Sequence, residues 1–455
     1  MTVFMDSLRD YWSSLCSRSE IVLGDLYLQS SSGHHMTLDD GRLEDIGSSS
    51  SSGVGVRLLR GEETIYTSRN GTDGNALRTA MEEISILRGD KSGRVPEGDS
   101  ILVTPVLPPI SMGDELIRLN RKIRSLSSKV AQVSLAFSSS EKNVLIIRED
   151  GSVCRDKRRY SMYSVNIVAE KDGDLQTGSR VVAQMTDIDG LLRKYDFDEI
   201  ASDALRTAET MLEATLCPAG AMDVVFAGEA GGTMIHEACG HGMEADIVEK
   251  DFSVYRDRIG EVIASPSVTI VDDGSIPGLY GSFEVDDEGT PSRRNLLVDK
   301  GVLKAYMTDR ETSERTGFPL TGNGRRSSYR VPPQTRMSNT FVEPGETTMN
   351  ELLGSVDNGL LVRQMGGGEV NPTSGDFVFH VTEGYLVKGG KVTVPVRGAI
   401  LTGNGPDVLR RVVGVGTDLR FLPGMCGKGG QSVPVTDGQP ALLVENITVG
   451  GSSTD

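Results

Sequence analysis

No apolar run of about 18 residues occurs anywhere in the 455-residue chain, which excludes a membrane-spanning helix on hydropathy. Positive charge is scarce as well. The 47 Lys and Arg are outnumbered by 64 Asp and Glu, and the net charge of −17 would repel both a phosphate backbone and an anionic membrane surface. Nucleic acid and membrane are therefore not expected as partners. The opening stretch, MTVFMDSLRDYWSSLC, places acids where a signal peptide needs a basic flank and an apolar stretch, so the protein is read as cytoplasmic. Cysteine is sparse and dispersed: Cys16, Cys154, Cys217, Cys239 and Cys426 do not form the dense pattern of a disulfide framework, and each is read as a core residue or a metal ligand.

What is abundant is glycine. The 54 glycines cluster in the second half between short alternating runs, the texture of turns and β-structure. The length predicts two domains, residues 1–215 and 216–455, in an α+β protein. The first domain reads as an antiparallel sheet with packed helices. Apolar/polar alternation over residues 21–46 and 53–70 marks a β-meander, and Gly47–Gly53, GSSSSSG, has the composition of a flexible loop. Amphipathic helices are predicted over residues 72–89 and 111–130, the second with Ser111 or Asp114 as N-cap, and a long helix from Ile188 to Ala214 bridges to the second domain. That domain reads as strand-rich, a barrel or sandwich carrying a helical segment at residues 229–246.

The helical segment holds two of the chain's five histidines, His236 and His241, with Glu237 directly after the first. Two histidines at i and i+4 on a regular helix meet one ion, whereas a spacing of five separates them by about 140°. A π-type turn would restore a shared side, and Gly240 and Gly242 give the backbone freedom for one. The plainer alternative is that His236 packs in a core and His241 caps a helix end. A catalytic zinc wants three protein ligands, so a third must come from elsewhere. His34 and His35 read as a solvated turn, His380 as a core histidine in an alternating strand, and Cys239 as pointing away from the shared face. Cys426, in the Gly-rich loop PGMCGKGGQSVP with Lys428 nearby to favour the thiolate, is the best third ligand on chemistry.

The HExxxH motif at His236–His241 followed by GMEAD, together with GMCGKGGQ around Cys426, the stretch 272–310, TGNGRRSSY (321–329) and RMSNTFVEPG (336–345), resembles the TldD/PmbA metallopeptidases, specifically their metal-bearing TldD branch. The resemblance is dense over about residues 221–450. It implies a zinc-dependent peptidase acting on unfolded peptides or small proteins, with one Zn²⁺ per active chain held by His236, His241 and Cys426 and with Glu237 as general base. It also implies that two related chains enclose a chamber, either as a homodimer or with a TldE/PmbA-like partner.

Such a cleft would hold an extended peptide through backbone hydrogen bonds to a strand edge. Arg325 and Arg326 could bind a substrate charge and Asn339 its backbone, against surface pairing for the arginines and a turn role for Asn339. Glu284, Asp286, Asp287 and Glu288 read as solvated turn acids, and GVGTDL (414–419) is too short a fragment for a nucleotide loop. Two other functions are kept open: a non-catalytic peptide-binding or regulatory partner of a related chain, and a metal-dependent amidohydrolase acting on small amides.

Overall fold

A computed structural model describes residues 2–17, 21–88, 101–105, 107 and 112–451. The N-terminal half is one six-stranded antiparallel sheet in the order β3-β2-β1-β4-β5-β6, formed by β1 (Leu23–Asp39), β2 (Arg42–Arg60), β3 (Glu63–Asn70), β4 (Val130–Arg148), β5 (Val153–Lys171) and β6 (Asp174–Gln184). One face carries helices at both ends. Leu26, Leu28, Val54, Val56 and Leu145 pack under α1 (Thr2–Ser17) and α2 (Gly74–Arg88). Leu38, Leu135, Tyr163 and Val165 pack under α3 (Gly113–Leu126), α4 (Ile188–Lys194) and α5 (Phe197–Leu212).

Three local expectations are corrected. GSSSSSG is not a loop: Ser50, Ser51 and Ser52 pair with Ser32, Ser31 and Ser30 in unbroken register across β1 and β2. The apolar runs Leu23–Leu28 and Val54–Leu59 fix that register, and the serines between them are carried into the ladder whatever their propensity. The bridging helix is two helices, because Asp196 turns out of the first and caps the second by accepting from the Asp198 and Glu199 amides. The helix over 113–126 has Met112 at its N-cap with no side-chain cap; Asp114 lies in its first turn, and Ser111 lies outside the described residues.

Beyond the short strand Thr215–Leu216 the chain builds a five-stranded closed barrel. Strand Asn358–Val370 pairs with Gly220–Phe226, then Leu442–Gly450, Ile400–Asn404 and Asp376–Lys388, which returns to the first. Beside it stands a second sheet whose last two strands are Gln431–Gln439 and, at the edge, Arg420–Lys428. The segment Thr233–Val248 runs between them, and its Met234, Ile235 and Cys239 share one core with Val224, Phe226, Leu360 and Phe379 of the barrel. Along Asp376–Lys388, Phe377, Phe379 and Val381 point inward. His380 therefore faces out and is exposed, not the core histidine expected.

The halves are joined by buried charge. Arg57 on β2 donates to Asp25 on β1 at 2.7 Å and pairs with Glu288; Arg326 donates to Asp25 at 2.9 Å; Arg158 on β5 donates to Asp287 at 2.9 Å. Asp286, Asp287 and Glu288 are thus interior, a correction to the solvated-turn reading, while Glu284 remains exposed. Asp287 and Glu288 look solvated unless their arginine partners, Arg158 and Arg57 on strands more than 100 residues away, are known, and Asp286 accepts instead from the Glu288, Thr290 and Gly324 amides.

This region sets a pH dependence. Burial first, and the neighbouring Glu288 second, raise Asp286 and push Asp309 up to about 7. Both stay protonated in the folded chain above the pH at which the unfolded chain ionises, so between about pH 4 and pH 7 the folded state binds more protons and stability falls as pH rises. The expected result is a higher urea midpoint at about pH 5 than at about pH 7.5, with a flatter profile in Asp309→Asn, which keeps the cap. An equal slope in the variant would remove Asp309 from the effect.

Candidate metal centre

Gly231 and Gly232, both with left-handed backbone (φ 89° and 68°), turn the chain from the barrel into the helical segment. At Gly232 a β-carbon would also collide with the backbone of Gly438. Residues His236–Gly240 form a π-turn in which the His241 amide donates to the His236 carbonyl. This i→i+5 bond widens the turn and explains the five-residue spacing. The glycines serve it differently than expected. Gly240 has ordinary helical backbone (φ −57°), and a side chain there would strike Met337, just as one at Gly242 would strike Tyr255.

The two imidazoles stand nearly perpendicular, with ring centres 5.1 Å apart. Both Nε2 atoms are directed at the sulfur of Cys426, at 3.2 Å from His236 and 3.4 Å from His241. Cys426 lies in the edge strand rather than in a loop, paired with Val433, and the turn is confined to Gly429 and Gly430. Arg336 fastens this hairpin through the carbonyls of Cys426 and Gln431. Cys239 is buried elsewhere, and burial pushes its thiol up to about 12.

Each histidine is oriented through its other nitrogen. Asp437 lies 2.7 Å from His236 Nδ1 and Glu244 lies 3.0 Å from His241 Nδ1. Lys428 does not touch the sulfur: its Nζ donates to Glu244 at 2.8 Å, Asp246 at 2.6 Å and the Thr335 carbonyl at 2.9 Å. Burial opposes ionisation of Cys426, but hydrogen bonds from the two imidazoles outweigh it and hold the thiol at about 5. Burial likewise opposes charge on His241, yet Glu244 and Cys426 hold it at about 9. Glu244 is itself drawn down to about 2 by Lys428 and His241 against its burial. Two imidazole nitrogens and a thiolate, all within 4.8 Å of one another, with both outer nitrogens engaged by carboxylates, fit a zinc-type ion.

Glu237 is not part of that cluster. Its carboxylate sits 3.9 Å from His241 Nε2, 28% exposed, and burial raises its pKa. It lines, with His236 and Asp437, a cleft of about 490 Å³ between the two halves of the protein. The cleft walls are two sheet edges: Ser179–Val182 of β6 on one side and Leu422–Met425 of the strand bearing Cys426 on the other.

Arg325, Arg326 and Asn339 are not among the cleft-lining residues. Arg325 donates to the Met337 carbonyl at 2.7 Å, Arg326 stacks on Tyr27 at 4.2 Å, and Asn339 donates to the Asp273 carbonyl at 2.6 Å. All three are buried. His34 and His35 lie in β1, where His35 meets Asp45 at 2.9 Å. Asp437 and Glu244 were not anticipated. Glu244 could have been found three residues after His241, one helical turn on, whereas Asp437 sits in an Asp-Gly pair that reads as a turn.

Residues 24–85, 108–212 and 219–451 match domain 1, the central domain and the C-terminal domain of the PmbA/TldA metallopeptidases. A metalloprotease TldD homolog of Haemophilus influenzae is 36% identical over 96% of this chain and 95% of its own length. A zinc metalloprotease TldD homolog of Saccharolobus solfataricus is 30% identical over 67% of each chain. The crystal structure of TldE from Thermococcus kodakarensis superposes with a TM-score of 0.78 over 98% of this chain and 100% of that one at 17% identity, a likeness of fold. With the first two models both falling on the single N-terminal sheet and the third spanning the barrel and the histidine–cysteine cluster, the chain belongs to the PmbA/TldD metallopeptidase family.

Proposed function

We propose that the chain is a zinc-dependent peptidase that hydrolyses unfolded polypeptide, with His236, His241 and Cys426 as zinc ligands and Glu237 as general base. The observation that carries this reading is the convergence of both Nε2 atoms on the Cys426 sulfur, directly beside a carboxylate that opens onto a cleft. Zinc bound there would polarise a scissile carbonyl and acidify a water. Glu237, raised by burial, is suited to take a proton at its carboxylate and return it to a leaving amine. Asp437 and Glu244 hold the imidazoles in the tautomer that leaves Nε2 free to ligate. The two facing sheet edges supply backbone donors and acceptors for an extended chain, which favours tolerance of sequence over tight side-chain selection. The protein works as a dimer, with itself or with a TldE/PmbA-like chain.

The test measures bound metal and cleavage of an unfolded protein together. Stoichiometric zinc, loss of cleavage on chelation and recovery on zinc addition are expected. A zinc-loaded protein that cuts no polypeptide but cleaves small amides would replace the substrate class, and one that cuts neither would leave a binding partner. The carboxylates behind the histidines give a separate prediction. Asp437→Asn should weaken zinc binding by about 10- to 100-fold in a chelator competition, and Glu244→Gln by a similar factor. Unchanged affinity in both variants would remove that role.

A further inference from the structure

The cleft does not end at Glu237. Two of its lining residues, Glu229 and Arg363, also line a second cavity of about 430 Å³, so the two spaces adjoin. The character changes across that junction. Two neighbouring barrel strands carry the change in step. In one, Arg363 faces the first cavity and Leu361, two residues earlier, the second; in the other, Glu383 lines the first and Tyr385, two residues later, the second. Leu361 and Tyr385 are directly paired across the strands and form a largely apolar floor, and Ala227, Met349, Val392 and Asp418 stand in the wall. At about 3.3 Å per residue, two positions of strand correspond to roughly two residues of an extended peptide.

The polar side of the junction is already committed. Glu383 is 1% exposed and takes Thr207 Oγ1 at 2.7 Å, Arg206 at 3.1 Å and Tyr385 Oη at 2.9 Å. These bonds fix the Tyr385 ring by its hydroxyl and leave its face to the cavity. Val392, by contrast, is 42% exposed on its strand.

We propose that this second cavity is a substrate subsite that accepts a large apolar or aromatic side chain of the same polypeptide whose backbone lies in the cleft, a few residues from the bond that is cut. The proposal rests on the peptidase reading and adds a side-chain preference to it. A mainly apolar occupant fits because Ala227, Leu361, Tyr385, Met349 and Val392 make up five of the eight lining residues, while Asp418, whose Oδ1 is buried without a hydrogen-bond partner among the described residues, offers one acceptor in the wall. It is assigned to the substrate because Glu229 and Arg363 line both the cleft and this cavity, so one extended chain in the cleft lies next to it.

The experiment walks one Phe through each position of a fluorescent Gly-Ser peptide. Cleavage by the zinc-loaded protein and fluorescence anisotropy with Glu237→Gln are both measured. One position should lower KM, and tighten binding, by about 10-fold or more relative to the all-Gly-Ser peptide, the range for burying one aromatic ring. Val392→Asp, which places a charge in the wall, and Val392→Phe, which fills the cavity, should each level that preference, while bound zinc and the melting temperature stay at wild-type values. Binding that is indifferent to the position of Phe, or a preference that survives both variants, overturns the subsite. If no peptide is cut at all, the peptidase reading fails, and the anisotropy series still decides whether the cavity selects an apolar side chain.

Discussion

Glu237→Gln is expected to bind zinc as tightly as the wild type and to cut unfolded polypeptide about 100- to 10,000-fold more slowly, the usual worth of a positioned general base. The two halves of that expectation come from one geometric fact. The carboxylate stands outside the cluster of donor atoms, 3.9 Å from His241 Nε2, so an isosteric amide removes a proton acceptor without removing a ligand. Cys426→Ser should behave in the opposite way, losing metal first and activity in consequence. Dialysis against a zinc buffer followed by metal analysis, beside single-turnover cleavage, separates the two. Wild-type cleavage by the Gln variant would take Glu237 out of the chemistry.

The second large effect concerns folding. Arg57 is fully buried between Asp25 and Glu288, and removing it strands Glu288 in the interior and leaves Asp25 with Arg326 alone. Arg57→Met should cost about 3–5 kcal/mol in urea unfolding, the range for breaking a buried ion pair on one side only. Arg57→Lys should recover little of this, because a single ammonium cannot reproduce the fork that reaches both acids. A loss below about 1 kcal/mol, the scale of a surface pair, would show that water enters the network.

How far these features were legible in the sequence depends on their range along the chain. The metal motif was readable because two histidines and a glutamate sit within six positions, and the π-turn needed only the rule that five residues overshoot one helical face. The strand-rich second half followed from glycine-punctuated alternation, which left barrel and sandwich both open. Cys426 was found by its chemistry, though its setting was not: a Gly-flanked cysteine reads as loop, while the β-ladder with Val433 depends on a partner strand. The buried acids at 286–288 and the arginines at 325–326 were misplaced for a single reason. Charge is assigned to the surface unless its partners are known, and here the counter-charges of Asp287, Glu288 and Arg326 lie on β5, β2 and β1, while Asp286 and Arg325 are held by backbone amides and a carbonyl. Asp437 behind His236, 201 positions away, was invisible on the same ground.

The hairpin that carries Cys426 has one more implication. Its side chains alternate between the sheet's two faces, with Cys426 buried on one and Met425 57% exposed on the other, and its alignment is set by the two-glycine turn at Gly429–Gly430. A slip of one position would swing the sulfur to the wrong side and present Met425 or Gly427 to the imidazoles instead. Assembly of the centre is therefore a matter of counting as well as of folding: the histidine segment can be complete, yet no third donor arrives until that reversal closes at the right residue.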